Sequence, residues 1–395
     1  MRRFLLGIFV LSIFTSSVIK IDACALNANA LIPIDQSEYT DFQDLKQSWC
    51  KDYVKVCCQA GLLKGKTVDR FDEKSELTNA QITVIIARLY ERLTGRDSNL
   101  AAENNGPWYS SSYELLKDVM PDVILKEMYL DAPLMPDISN NPCSRTAFAE
   151  MLAGVLKAAE VELPKINEVD GIPDTANQNV LMLYQAGVLA GTDKYGFFHG
   201  AASLTRGQAA AMLARLVDPS ARIAVELEPF DFYKEILGVS SDATLLYIDG
   251  KEVTADEFGG SLCESLLYEF MANGHTPADA KKAAISDYCE NIAAPLLLAT
   301  DLNISLTQEE LDSALSSASL TAGYMGRSME SWYNESCKKL LAAKVEKHFS
   351  NNELPGYAFD MAVKSKYENL LVEETPAFQT LDVENIYNHY IRFFS

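Results

Sequence analysis

The chain is predicted to be mainly α-helical, with a tandem-repeat N-terminal half and a helical C-terminal domain that opens on a small β-hairpin. Three observations carry that prediction. Gln59-Ala60-Gly61-Leu62-Leu63-Lys64-Gly65 returns as Gln185-Ala186-Gly187-Val188-Leu189-Ala190-Gly191. Each copy leads into a similar helix start, Leu77-Thr78-Asn79-Ala80-Gln81 and Leu204-Thr205-Arg206-Gly207-Gln208, with a phenylalanine seven positions before the threonine (Phe71, Phe198). From Thr254 onward, apolar residues recur mostly at helical spacing.

The first element is a leader. Arg2 and Arg3 precede an uncharged apolar run from Phe4 to Phe14, and Ala23-Cys24-Ala25 and Ala28-Asn29-Ala30 both offer small-residue cleavage patterns. Residues 1–30 are therefore expected to be a secretory signal peptide. The apolar core is too short to span a bilayer comfortably, and Lys20 and Asp22 close it off. No later stretch reaches membrane-spanning length without a charge, so no stable membrane span is expected after cleavage.

The first repeat, over 38–95, is predicted to hold two helices. Trp49, Tyr53, Val54, Cys57 and Cys58 share one helical face, and Gly61 follows as a left-handed cap. Thr78 and Gln81 spell a capping box, and Ile82, Ile85, Ile86 and Leu89 give the second helix a buried stripe. The second repeat, over 104–162, is degenerate: Trp108-Tyr109 opens it, Tyr113, Leu116 and Met120 continue it, and Ser144-Arg145-Thr146 starts its second helix without the glycine-flanked loop. Phe148, Met151, Leu152 and Val155 supply that helix with an apolar face. The third, over 168–218, returns to the full pattern, with Val180, Leu181, Tyr184 and Val188 on one face and Ala209, Met212, Leu213 and Leu216 on the other helix.

A connector over 219–243 contains Pro219, Pro229 and a short helical piece at 230–237. The last domain, 244–395, begins with alternating apolar residues around Asp249-Gly250, a hairpin signal. Thr254 and Glu257 form another box, and Phe258, Leu262, Leu266 and Phe270 recur every four residues. Further helices are expected over 276–301, 307–317, 329–349, 355–371 and 381–394.

Bulk properties narrow the function. A length of 395 residues suggests roughly two or three domains at about 150 residues each. An apolar fraction of 48% is ample for packed cores. The formal net charge of −21 repels phosphate backbones, so no nucleic-acid partner is expected. Eight cysteines occur, and cleavage after Ala30 would leave seven. Cys50 and Cys57 lie about 10 Å apart along one helix and cannot bridge each other. Without a Cys-x-x-Cys pair, and with His199, His275, His348 and His389 scattered, no metal site and no cofactor are expected. No Gly-x-Ser-x-Gly, Walker or His-Glu-x-x-His motif is present, and pairs such as Glu309-Glu310 carry no weight in so acidic a chain, so no catalytic residue is assigned.

Helix starts of this kind suggest anion recognition. Arg145 and Arg206 each follow a Ser or Thr cap, where free N–H groups and the positive dipole end would favour a carboxylate and the guanidinium would add a planar fork. Trp49 and Trp108 offer flat apolar faces for a sugar ring, and tandem sites add through multivalency. Asp44 and Asp174 equally suit helix capping.

Residues 38–218 resemble the S-layer homology (SLH) family. The first unit matches through Asp44, Trp49, Gly61, Gly65 and Leu77-Thr78-Asn79-Ala80-Gln81; the third through Asp174, Gly187, Gly191 and Leu204-Thr205-Arg206-Gly207-Gln208; the second through Trp108 and Ser144-Arg145-Thr146. Asn79 stands where the family has arginine, and the third unit lacks the tryptophan. The resemblance implies a pseudo-threefold spindle of three helical repeats. It also implies non-covalent anchoring to an anionic secondary cell-wall polymer attached to peptidoglycan, often pyruvylated, with Arg145, Arg206, Asp44, Trp49, Trp108, Asp174, Gly65 and Gly191 as polysaccharide-binding residues. The implied location is secreted, at the cell wall or S-layer.

Ile248 to Phe258, with Leu302 to Leu311 after it, resembles the helical domain of SurA/PrsA-type chaperones. That resemblance implies binding of unfolded or partner proteins, and no segment is long enough to be an inserted parvulin domain. The expectation is thus a binding protein and not an enzyme. The alternatives are a wall-anchored foldase or holdase, and an S-layer lattice subunit.

Overall fold

The helix starts expected at Thr78, Ser144, Thr205 and Thr254 form, each with a side-chain cap. Thr78 Oγ1 accepts from Gln81 N while Gln81 Oε1 accepts from Thr78 N, and Thr205 with Gln208 repeats the box. Ser144 has no Glu or Gln three residues on and caps through its hydroxyl alone, accepting from Ala147 N at 3.1 Å. The structure is a computed structural model that describes residues 30–35, 39, 41–96, 107–117, 119–120, 138–269, 276–351 and 357–394. The expected signal segment up to residue 29, Phe270, and much of the second repeat's loop lie outside the described residues.

The first repeat contributes α1 (Lys51–Gln59) and α2 (Asn79–Thr94), the second α3 (Ser110–Leu116) and α4 (Arg145–Ala158), the third α5 (Gln178–Gln185) and α6 (Arg206–Val217). The second helix of each repeat packs on the first helix of the next: α2 on α3, α4 on α5, and α6 back on α1. One hydrophobic core joins all three, with Val54, Ile82, Ile86, Leu89, Leu116, Phe148, Leu152, Val180, Tyr184, Leu213 and Leu216 fully buried. The array is therefore closed, and no repeat buries its own apolar face alone.

Backbone hydrogen bonds seal the closure. Leu77 N donates to Leu204 O at 2.9 Å, Leu204 N to Cys143 O at 2.9 Å, and Cys143 N to Leu77 O at 2.8 Å. The residues just before the three caps thus form a ring in which each donates once and accepts once.

The C-terminal half has its own core. Strands β1 (Thr244–Ile248) and β2 (Lys251–Thr254) pair through a two-residue turn, with Asp249 and Gly250 both left-handed at φ 51° and 74°. Helix α7 (Ala255–Tyr268) is boxed by Thr254 and Glu257 and fully buries Phe258, Leu262 and Leu266. Helix α8 (Pro277–Tyr288) runs through one wide turn, where Ala294 N bonds to Cys289 O, into α9 (Ala294–Asp301). Helices α10 (Gln308–Thr321), α11 (Met329–Asn351) and α12 (Ala358–Tyr367) follow. Strand β3 (Val372–Glu374) and helices α13 (Pro376–Gln379) and α14 (Val383–Tyr390) end the fold. The result is mainly α with a small antiparallel sheet ordered β2-β1-β3.

Two local expectations need correction. The helix predicted over 355–371 ends at Tyr367, and Val372–Glu374 instead pairs antiparallel with β1, Ile248 facing Val372. Three residues are too few for alternation to show, and pairing with a distant strand decides their state. Trp49 lies ahead of α1, off its periodicity, and is 60% exposed. Among the described residues, no helix is long and apolar enough to cross a membrane. The seven described cysteines are all free thiols.

Because each cap also fixes a link of the ring, Thr205→Ala is expected to lower unfolding free energy by about 1 kcal/mol with an unchanged denaturant slope. Urea titration followed by far-UV circular dichroism measures it.

Candidate functional site

The three helix starts face one another and do not face solvent. In α2, Asn79 N and Ala80 N donate to Asn141 O and Ser139 O at 3.0 and 2.9 Å. In α4, Arg145 N and Thr146 N donate to Ala202 O and Gly200 O, both at 3.0 Å. In α6, Arg206 N and Gly207 N donate to Ser75 O and Glu73 O, both at 2.9 Å. The third amide of each helix goes to its own cap. Every amide that a free helix start would offer an anion already has a carbonyl or hydroxyl partner. The expectation that these starts are anion pockets is corrected on that ground.

The side chains at the first helical position run the same circuit. Arg206 Nε donates to Phe71 O at 2.9 Å and Nη2 to Lys64 O at 2.7 Å, with the guanidinium carbon 4.4 Å from the Phe71 ring centroid. Arg145 Nε donates to Phe198 O at 2.8 Å, its guanidinium carbon 5.0 Å from the Phe198 centroid. Asn79, where arginine was expected, does the same work with a shorter reach, Nδ2 donating to Ile138 O at 3.0 Å. Both arginines are buried, and that burial pushes their pKa values down against the opposing pull of Asp174 on Arg145 and of Asp72 and Asp44 on Arg206.

Asp44 and Asp174 meet the same phenylalanines from the other side. Asp44 accepts from Phe71 N and Asp72 N at 3.0 and 2.7 Å; Asp174 accepts from Phe198 N and His199 N at 2.8 and 2.6 Å. Asp72 and His199 have left-handed backbones, φ 64° and 52°, so each carboxylate holds a strained turn in place. The aspartates tie down loops and do not cap the following helices.

Two open features remain around the first repeat. A groove of about 990 Å³ runs along the Gly61–Gly65 loop, lined by Lys64, Gly65, Lys66, Arg88 and Arg92 with Asp35 and Glu91. Arg88 Nη1 donates to Leu62 O at 3.1 Å, Lys66 pairs with Asp72 at 2.6 Å, and Arg92 lies over Gly61. Gly61 is left-handed, φ 71°, and a Cβ there would come within 2.5 Å of Arg92 Nη2, so only glycine keeps that guanidinium at the loop. A second hollow of about 500 Å³ joins Trp49, Glu73 and Lys74 to Thr205 and Gln208 of the third repeat. Trp49 leans edge-on against Tyr53, and Trp108, 64% exposed, leans in the same way on Tyr109.

The expected residues thus separate into two sets. Gly65 lines the large groove and Trp49 the smaller hollow. Arg206 reaches the groove only through the Lys64 carbonyl. Gly191 is in the third repeat, in backbone contact with Gly196. Lys64, Lys66, Arg88 and Arg92 were not anticipated. One signal was available: Arg88 and Arg215 both follow their capping threonine by ten positions, and Arg215 Nη1 donates to Val188 O as Arg88 does to Leu62 O.

No family model matches the chain. It is similar to endo-1,4-beta-xylanase A of Thermoanaerobacterium saccharolyticum, 31% identical over 77 residues, 18% of this chain and 6% of that protein. It is similar to amylopullulanase of Thermoanaerobacterium thermosulfurigenes, 23% identical over 222 residues, 53% of this chain and 11% of that protein. It is also similar to exoglucanase XynX of Acetivibrio thermocellus, 23% identical over 192 residues, 45% of this chain and 16% of that protein. The matched segment is a small part of each relative's length.

Burial sets opposite expectations for the residues at these sites. Arg206→Leu leaves the Phe71 and Lys64 carbonyls without a donor and is expected to cost about 1–3 kcal/mol of stability. Trp49→Ala is expected to stay within about 0.5 kcal/mol of the parent. Urea midpoints of the two variants separate a structural arginine from a surface tryptophan.

Proposed function

We propose that this is an exported, wall-associated binding protein of the SLH type. Its repeat array anchors non-covalently to an anionic secondary cell-wall polysaccharide, and its C-terminal helical domain is presented outward, with no catalytic role. The observation that carries this reading is the groove of the first repeat. Four cationic side chains, Lys64, Lys66, Arg88 and Arg92, line it against two carboxylates, on a chain whose formal net charge is −21. A local reversal of sign in a concave surface concentrates an acidic ligand there while the rest of the surface repels it. In the separate smaller hollow, exposed Trp49 offers an apolar face of the kind on which sugar rings stack.

The relatives support the same reading. They have three different named activities, and the similarity spans at most 16% of any of them. Matches on that scale to proteins of three different activities fit a carried module more economically than a common catalytic domain. A second role for the C-terminal domain, the reception of unfolded or partner chains, rests on the resemblance of Ile248 to Phe258 and Leu302 to Leu311 to the SurA/PrsA-type helical domain. In that case aggregation of an unfolded client falls in proportion to added protein.

The anchoring test is retention of the full chain on purified wall sacculi before and after their non-peptidoglycan polymer is stripped. Retention is expected on intact sacculi only, weakening with salt. Lys64→Ala with Arg92→Ala is expected to weaken it at least about tenfold. Equal retention on stripped sacculi would refute the polymer as the ligand.

A further inference from the structure

The third repeat and the C-terminal domain touch at more places than the connector that joins them. Phe197, in the third repeat's sequence, is buried in the C-terminal core, with the rings of Phe230 and Phe393 centred 5.2 and 5.3 Å away. Across the same turn, Pro173 O accepts from Met325 N at 2.6 Å, and Gln178 Nε2 donates to Leu320 O at 3.1 Å. Pro173 precedes Asp174, whose carboxylate holds Phe198 N and His199 N. The C-terminal domain therefore grips this aspartate-held turn on both sides, at Pro173 and at Phe197.

The grip at Pro173 comes from the loop 322–327, between α10 and α11. Here two backbones meet directly: a Cβ on Gly171 would come within 2.7 Å of Gly323 Cα and 2.8 Å of Ala322 O. Met325, which reaches Pro173, is left-handed at φ 55° and buried in the C-terminal core. A bulky residue keeps that conformation only where its surroundings over-determine it. Arg327 does so. Its carbonyl accepts from Gly323 N at 3.1 Å and closes the loop. Its guanidinium, 3% exposed, donates to Glu335 at 2.7 Å, to Ser331 Oγ at 2.8 Å and to Tyr233 OH at 3.3 Å, and lies 4.3 Å from the Trp332 ring centroid. Trp332 stacks on Tyr324 and donates to its carbonyl at 3.3 Å. The Tyr233 and Ser331 hydroxyls both donate to Asp256 at the start of α7. One buried guanidinium thus ties the loop to the connector, α7 and α11.

We propose that the loop 322–327 is a latch that fixes the C-terminal domain on the third repeat, so that the two halves hold one orientation and unfold as one body. Domains joined by a connector reorient by default, and a shared aromatic core with a backbone contact too close for a side chain removes that freedom. Arg327 is the residue that keeps the latch in shape. The inference stands apart from the anchoring function and holds for any ligand of the array. Once the array is docked on a surface, the C-terminal domain stands at a set angle to it.

The experiment reads hydrogen–deuterium exchange and scanning calorimetry on the full chain, with no ligand. In the parent, the amides of Gly323 and Met325 are expected to be protected, and heat is expected to unfold both halves in a single transition, where independent domains would give two. Gly171→Val places a side chain in the backbone contact from the third repeat's side and leaves the C-terminal core untouched. It is expected to speed exchange of the Met325 amide at least about tenfold, to leave the β1 amides protected, and to split the transition in two. Should valine unfold the chain, Gly171→Ala gives the same readings from a smaller wedge. Arg327→Leu is expected to release the Met325 amide in the same way from the other side. Fast exchange of Met325 in the parent overturns the proposal, as do two parent transitions. A Gly171 variant that keeps Met325 protected overturns it too, and so does one that releases Met325 yet still melts in a single step.

Discussion

The ring of three backbone hydrogen bonds among Leu77, Cys143 and Leu204 is the constraint on which the N-terminal half depends. It fixes where each helix begins, and each helix start then spends its first amides on the turn of the next repeat. A single repeat would leave those donors and its apolar stripe in water, and burying unpaired amides costs more than a hydrogen bond gains. Two repeats would leave one link open. Three close the circuit, which is why a worn second repeat is retained: it still supplies Cys143 to the ring and Phe148, Met151 and Leu152 to the shared core.

That same circuit moves ligand chemistry outward. With the helix-start amides, Arg145 and Arg206 all committed to neighbouring carbonyls, an anion has no free dipole end to approach among the three starts. What remains is the rim, where the glycine loop of the first repeat projects Lys64 and Lys66 beside Arg88 and Arg92. Arg206 still bears on the groove, since its Nη2 holds the carbonyl of Lys64 and so the path of the loop. Its place is that of a positioning residue, one layer behind the surface that a polysaccharide would touch.

Local chemistry was legible in the sequence and partner identity was not. The capping boxes at Thr78, Thr205 and Thr254, the left-handed Gly61, and the Asp249-Gly250 turn depend on residues a few positions apart, and all are found as read. The arginines after the Ser144 and Thr205 caps were visible, but their targets, phenylalanine carbonyls in another repeat, lie 53 residues away for Arg145 and 135 for Arg206. Asp44 and Asp174 likewise act across 24 to 28 residues to hold a turn. A residue type suited to a carboxylate ligand is equally suited to a buried carbonyl, and only the closed ring decides between them. Strand β3 failed to show for the related reason that its three residues are a strand only because β1 has a free edge.

Non-equivalence among the repeats follows from where the chain has to go next. Helix α6 ends at Val217, beside the glycine loop of the third repeat, so the chain must cross that loop to reach the second core. Its first residues beyond the helix satisfy Gly187 O and Asn167, and its aromatic residues join Phe197, which lies in the third repeat's sequence yet belongs to the C-terminal core. Docking a second domain onto a threefold array therefore breaks its symmetry at the repeat nearest the junction. Among the described residues, a cation-lined groove lies at the first repeat, the one farthest along the chain from that junction.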